Sequence, residues 1–313
     1  MKRILVTGGL GFIGSHTVVE LQNKGFDVVI IDDLSNSKIE VLNNITEITG
    51  KKPEFHQLDL RVKADVKAFF DTNTIDGIIH FAAFKAVGES VANPLDYYEN
   101  NIGSLVYILQ EMRDRNIDNF IFSSSCMAIG VPEELPITEN SVQTKAASPY
   151  ANTKQIGEEI IEQSCNAYNT NAITLRYFNP IGAHESAKIG ELPNGVPQNL
   201  IPFVTQTAAG IREQLSVFGD DYDTPDGTAI RDYIHVIDLA QAHIVALKRL
   251  LDKKNKKNYE LFNIGTGKGR SVLEIVKTFE KIYGKPLNYK IVDRRPGDIT
   301  ACLLYTSPSP RDA

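Results

Sequence analysis

Along the first half of the chain, short continuous apolar runs alternate with stretches in which apolar residues recur every three or four positions. The runs ILVTG (4–8), DVVIID (27–32), EFHQLDL (54–60), DGIIHFAA (76–83), NFIFSSS (119–125) and AITLRYFN (172–179) predict strands. Between them, FIGSHTVVELQNKG (12–25), VKADVKAFFD (62–71), NIGSLVYILQEMRDRN (101–116) and the segment that opens near Tyr150 predict helices. Strands that are apolar throughout, separated by helices, belong to a parallel sheet covered on both faces. The expected fold is therefore α/β, with a Rossmann-type doubly wound parallel sheet and ligand sites at the strand C-termini.

After Pro180 the rhythm breaks. Residues 181–233 are rich in Gly, Pro, Asp and Asn and read as a loop-rich region suited to substrate binding. Order resumes in HVIDLAQAHIVALKRLL (235–251), FNIGTG (262–267), SVLEIVKTFEKIYG (271–284) and LNYKIVD (287–293). The expected division is a dinucleotide-binding domain over 1–180 and a smaller α/β substrate domain over 181–302, with about 234–270 returning to the first part. The last eleven residues, LLYTSPSPRDA (303–313), carry neither period and read as a tail that is disordered or foreign to the fold.

Composition narrows the partners. Of 313 residues 42% are hydrophobic and 23% charged, as in an ordinary water-soluble globule, and 33 basic against 39 acidic residues leave a net charge of −6. With no long basic run, nucleic acid and anionic membrane are not expected as partners. Cys126, Cys165 and Cys302 form no CxxC, and the six histidines form no HExxH, so neither a disulfide framework nor a protein-built metal site is expected. No apolar run approaches the ~18 residues that span a bilayer, which leaves the cytoplasm as the expected location.

Two patterns carry chemistry. The first is TGGLGFIGSH (7–16), a GxxGxxG built from Gly8, Gly11 and Gly14 between a strand and a helix. Glycines there let a diphosphate approach the backbone N–H groups of the helix N-terminus. The next strand ends in Asp32-Asp33, near the ~20-residue interval at which a carboxylate takes the ribose hydroxyls. A carboxylate repels a 2′-phosphate, so NAD is favoured over NADP. Asp59-Leu60, closing the third strand, would flank the adenine.

The second pattern is SPYANTKQIGE (148–158), in which Lys154 comes one helical turn after Tyr150 and shares its face. A tyrosine with pKa ~10 is a poor base at neutral pH, and a nearby ammonium would lower it. Taken alone, such a pair is better explained as an exposed pair in the first turn of a surface helix. Upstream, however, a strand closes on Ser123, Ser124 and Ser125, where a hydroxyl would hold a substrate hydroxyl against the tyrosine.

Glycine turn, serine strand end and YxxxK stand in the order used by the extended short-chain dehydrogenase/reductases, and the chain resembles that family from Lys2 to about Cys302. The resemblance rests on VTGGLGFIGSHT, HFAAFKAVGESVANPLDYYENN, NFIFSSS, SPYANTKQIGEEI, LRYFNPIGAH, GTAIRDYIHVIDLA, FNIGTG and RRPGDITAC. Within the family it is most similar to the members that epimerise UDP-sugars.

That resemblance implies roles for individual residues. Tyr150 is the base, Lys154 its partner, and Ser125 holds the sugar O4. NAD would be held by Gly8, Gly11, Phe12, Ile13, Gly14, Asp32, Asp33, Asp59, Leu60, Phe81, Ala82, Ala83, Lys85, Asn100, Ser123, Tyr177 and Phe178, besides Tyr150 and Lys154. The UDP-sugar would meet Lys85, Asn179, Asn199, Leu200, Phe218, Arg231, Tyr233, Arg295, Asp298 and Cys302. Guanidinium forks suit a diphosphate. The implied reaction interconverts UDP-glucose and UDP-galactose at C4 through a 4-keto sugar, in a homodimer formed through helices around 97–116 and 150–168. His80 and His235 are expected to be structural, and Tyr97-Tyr98 to pack.

The chain departs from the family at SCMAIG, where Met127 and Ile129 replace a hydroxyl residue and an aromatic, and at Ala151, in place of a frequent glycine. Cys302, a small residue at the pocket wall, would admit an acetamido group and so extend the range to N-acetylated UDP-hexosamines. The rival readings are a nucleotide-sugar 4,6-dehydratase and a non-catalytic NAD or nucleotide sensor. The first would carry an Asp-Glu pair where Cys126-Met127 stands, and the second would lack Tyr150 or Lys154.

Overall fold

A computed structural model describes residues 1–130, 137–168, 170–294 and 300–302. The first half runs β1 (Arg3–Thr7), α1 (Phe12–Asn23), β2 (Asp27–Asp32), α2 (Glu40–Thr49), β3 (Glu54–Gln57), α3 (Lys63–Thr72) and β4 (Gly77–His80). It continues with α4 (Val87–Ala92), α5 (Pro94–Tyr98), α6 (Ser104–Arg115), β5 (Asn119–Ser125), α7 (Pro149–Tyr168) and β6 (Asn171–Tyr177). The second half adds β7 (Asn179–Ile181), α8 (Leu200–Ala208), β8 (Leu215–Phe218), β9 (Ile230–His235), α9 (Val236–Leu251) and β10 (Tyr259–Ile264). It closes with β11 (Gly269–Ser271), α10 (Val272–Tyr283), β12 (Tyr289–Val292) and β13 (Ala301–Cys302).

Seven strands form one parallel sheet in the order β10-β6-β5-β4-β1-β2-β3. The alternation along each strand sends neighbours to opposite faces. Ile4, Val6, Val28, Ile30 and Ile79 meet α1, α2 and α9, whereas Leu5, Val29, Ile31, Ile78 and Phe122 meet α3, α6 and α7. Both faces are thus buried, which is why these strands read as unbroken apolar runs. Chain order reverses between β1 and β4, and such a switch point leaves a crevice at the strand C-termini.

The expected strands over 54–60 and 76–83 are shorter, ending at Gln57 and His80, because the chain leaves the sheet there to line the crevice. The loop-rich reading of 181–233 also changes in detail. It holds α8, whose Pro202 falls in the first helical turn where no intrahelical N–H is needed. A separate small core of Val204, Leu215, Val217, Val276 and Leu287 joins α8, β8, α10 and β12. β9 pairs with β7, β11 and β13, forming a second sheet beside the crevice.

His80 is buried, with Nδ1 2.8 Å from Thr7 Oγ1, and His235 caps α9 by accepting Ile237 N–H at 3.2 Å. Both work as polar struts. Tyr97 is buried, and its hydroxyl accepts from Ala86 N–H at 3.0 Å. Residues 303–313, read from the sequence as a tail, lie outside the described residues. Among the described residues no helix is long and apolar enough to cross a membrane.

Candidate active site

The glycine turn packs against its own backbone. Gly8 adopts φ +66°, and a Cβ on it would sit 2.9 Å from Ala82 N; a Cβ on Gly14 would sit 2.2 Å from the Gly8 carbonyl oxygen. Only glycine satisfies both positions. Gly11 precedes α1 with no side-chain cap, so the first N–H groups of that helix face the crevice. Asp32, at the end of β2, accepts Leu10 N–H at 3.0 Å, Leu34 N–H at 3.0 Å and the Ser37 hydroxyl at 2.7 Å. Burial pushes its carboxyl above the usual range, against those three bonds.

The crevice is a cavity of about 370 Å³. It brings together Gly8, Gly11, Phe12, Ile13, Gly14, Asp32, Asp33, Asp59, Leu60, Phe81, Ala82, Ala83, Lys85, Asn100, Ser123, Ser125, Tyr150, Lys154, Tyr177, Phe178, Asn179 and Asn199. Asp59 is held below the usual carboxylate range by the Arg61 fork, whose Nε and Nη2 reach it at 3.0 and 2.7 Å. A smaller adjoining cavity is lined by Leu200 and Tyr233, with Asn179 and Asn199 shared.

The structure does not bring every expected residue to these cavities. Phe218 ends β8 beside Val292, and Arg231 lies on β9 with its guanidinium on the Ile230 carbonyl at 2.8 Å; neither lines either cavity. Arg295 and Asp298 lie outside the described residues. The backbone of Cys302 pairs with Arg231 in β13.

The serine-bearing strand and the helix of Tyr150 meet at the far end of the crevice. Ser148 caps α7 by accepting Ala151 N–H at 3.2 Å, and Pro149 comes next in the first turn, which fixes where Tyr150 points. Ser125 shares a hydrogen bond with the Tyr150 phenol and also accepts Met127 N–H at 3.2 Å, which starts a 3₁₀ turn over Cys126–Ile129. Met127 lines the cavity, while Ile129 is fully buried behind it. Ala151 is buried too, in an α-helical position that suits it.

The lysine behaves differently from the expectation. Lys154 is buried and donates to the Ser123 carbonyl at 2.8 Å; its ammonium is 4.9 Å from the Phe122 ring centroid and 5.9 Å from that of Tyr150. Burial lowers it to about 8, opposed by Glu158. Tyr150 is pushed up to about 12 by burial, with the Ser125 bond acting the other way. The protein groups alone therefore keep Tyr150 a phenol at neutral pH, and the expected lowering by Lys154 is not what this geometry delivers. Tyr177 touches Ser123 through their hydroxyls, so the Ser123 backbone and side chain tie two predicted cofactor residues together.

Three residues near the site gave no signal in the sequence. Asn101 accepts Phe84 N–H at 2.8 Å and donates to the Phe84 carbonyl and Thr153 Oγ1 at 3.0 Å each, locking the loop after β4 to α7. Glu158, one turn beyond Lys154, is buried and takes Arg176 through Nε at 2.9 Å and Nη2 at 2.5 Å, with Ser124 at 2.5 Å and Gln143 at 2.8 Å. Glu191 lines both cavities. Each was an ordinary polar residue until distant segments met, and no period or motif marks such meetings.

Comparison with known proteins gives consistent results. The profile described as the NAD dependent epimerase/dehydratase family matches residues 4–265. The chain is 50% identical over 310 residues to UDP-glucose 4-epimerase of Bacillus subtilis, covering 99% of this chain and 90% of that one. The structure superposes on UDP-glucose 4-epimerase from Bifidobacterium longum, solved with NAD+ and UDP, with a TM-score of 0.94 and 46% identity over 99% of this chain and 92% of that one. For the Stenotrophomonas maltophila enzyme, solved with NAD and formylated UDP-arabinopyranose, the TM-score is 0.93 and the identity 44%, over 100% of this chain and 92% of that one.

Proposed function

This chain belongs to the NAD-dependent epimerase/dehydratase family, and on that footing we propose how its cleft works as a UDP-glucose 4-epimerase. The reaction interconverts UDP-glucose and UDP-galactose by inverting C4. One observation carries the reading: Tyr150, Ser125 and Lys154 converge on the same end of a cleft whose other end is the glycine turn and Asp32.

The glycine turn fits NAD, because any side chain at Gly8 or Gly14 would collide with backbone, leaving a wall of N–H groups for a diphosphate. Asp32 and Asp33 would take the adenosine ribose, and Lys154 and Tyr177 the nicotinamide side. When bound, NAD supplies reversible oxidation at the sugar C4. Tyr150 is the acid–base group: as the phenolate, which the positive charge of the oxidised nicotinamide would favour against the effect of burial, it would take the proton of the sugar 4-hydroxyl and return it to the 4-keto sugar after the ring has presented its other face. Ser125, already bonded to the phenol, holds the same sugar oxygen. Asn179, Asn199 and the first N–H groups of α8 would anchor the UDP while the sugar turns. No Asp-Glu pair comes after Ser125, so the acid–base groups that a 4,6-elimination needs are missing at that strand end.

The chain would divide into a dinucleotide-binding part, 1–180 with about 234–270, and a substrate part made of the remainder to 302. A homodimer through the helices around 97–116 and 150–168 is proposed as well. It is supported by Tyr107 on α6 and Ile160 on α7, apolar side chains that the chain's own core covers only in part. Use of N-acetylated sugars rests on the small size of Cys302, whose side chain lies outside the described residues. The test is incubation with UDP-galactose and separation of the products. UDP-glucose without added oxidant is the expected result, and a 4-keto-6-deoxy sugar would overturn the reading. UDP-N-acetylgalactosamine in the same assay decides the wider range.

A further inference from the structure

The two cavities share a partition, and Glu191 is the charged residue in it; Phe178, Asn179, Pro180 and Asn199 complete it. Glu191 Oε1 accepts Lys85 Nζ at 3.1 Å and Asn199 Nδ2 at 2.5 Å, and its side chain is only 9% exposed. The two donors come from opposite sides, Lys85 from the loop after β4 and Asn199 from the residue that precedes α8. Asparagine at such a helix start ordinarily caps the first turn. Asn199 makes no such cap: its Nδ2 donates to Glu191, and its side-chain oxygen takes no N–H of the first turn.

We propose that Glu191 is an affinity-determining residue that competes with the nucleotide diphosphate for Lys85 and Asn199. The proposal rests on the UDP-sugar reading of the same site. An ammonium, a side-chain amide and the uncapped start of α8 together make a surface for an anion. A carboxylate seated among those donors repels a phosphate oxygen and must give up at least one of them when the diphosphate arrives. The carboxylate thus weakens binding of the anionic half of the ligand and favours its release, while leaving the uridine half untouched.

The test uses the NAD-loaded protein and its Glu191→Gln and Glu191→Ser variants, titrated calorimetrically with UDP and with uridine. Unchanged melting curves and NAD content show which variants are folded, and the serine variant serves if the glutamine variant is not. UDP is expected to bind about tenfold tighter in the variants, the worth of one charge-assisted hydrogen bond, with uridine changed by less than about twofold. Equal or weaker UDP binding in the folded variants would overturn the role of Glu191 alone. A wild-type protein that binds neither ligand would overturn the nucleotide-sugar reading and this proposal with it.

Discussion

The Lys154 ammonium donates to the Ser123 carbonyl at 2.8 Å and stands 5.9 Å from the centre of the Tyr150 ring. The lysine is therefore fastened to the end of β5, and its influence on the phenol passes through position and not through direct contact. That arrangement separates the two jobs that the YxxxK spacing suggests.

Replacing Tyr150 by Phe removes the acid–base group and keeps the ring. Turnover of UDP-galactose should fall by about 10²–10⁴-fold, the usual worth of a positioned acid or base. NAD released on denaturation should match the wild type, because the fold of the glycine turn does not involve the hydroxyl. Retained turnover would show that another group moves the proton.

Burial of the lysine sets a pH dependence of stability. Its native pKa of about 8 lies below the 10.5 of a free lysine, so between those values the unfolded chain holds a proton that the native one has lost. Through this residue, stability rises as pH climbs from 8 to 10.5, and below 8 the cost of burying the charge is present in full. The melting temperature of Lys154→Met, taken relative to wild type, should be highest near pH 7 and decline towards pH 10. A difference that is flat with pH would mean that Lys154 is not buried as a cation.

On the acid side three histidines act together. Burial lowers His16 to about 4, His80 to about 3 and His243 to about 4, each from 6.5. Their neutral forms belong to the native state, so the stability that they contribute is complete above pH 6.5 and is lost as pH falls towards 4. Melting temperatures at pH 7, 6 and 5 should drop progressively. His16→Gln, which keeps a donor for the Phe12 carbonyl that lies 2.7 Å from Nδ1, should make the drop shallower.

Glu158→Gln leaves the Arg176 guanidinium buried without its anion. Breaking such a pair costs about 3–5 kcal/mol. Both side chains are nearly inaccessible, at 5% and 4% exposure, so water cannot replace the lost partner. The urea midpoint should fall with an unchanged slope. A change below about 1 kcal/mol would place this pair among the weak surface kind.

Much of the fold was legible because it is written in local periods. β1, β2 and β5 lie within a residue of their apolar runs, and α9 and α10 keep to their 3.6-residue patterns. Ser148-Pro149 marks the start of α7, and the four-residue step from Tyr150 to Lys154 puts both on one face wherever that helix packs. In the glycine turn any Cβ at Gly8 or Gly14 would strike backbone atoms, so the residue type itself reports the geometry. Less was legible after Pro180, where Pro202 inside the first turn of α8 disguises a helix.

The sequence by itself thus determined the alternating architecture, the dinucleotide turn with Asp32, and the helical face shared by Tyr150 and Lys154, because each depends on residues a few positions apart. Only the tertiary structure decided that Lys154 binds the Ser123 carbonyl, that Asn101 locks the Phe84 loop to α7, that Glu158 binds Arg176, and that Glu191 takes Lys85 and Asn199. These contacts join residues 17 to 106 positions apart, except for the closer pair of Glu191 with Asn199. Their geometry is set by how sheet and helices pack, and no hydrophobic period records which polar groups the packing will bring face to face.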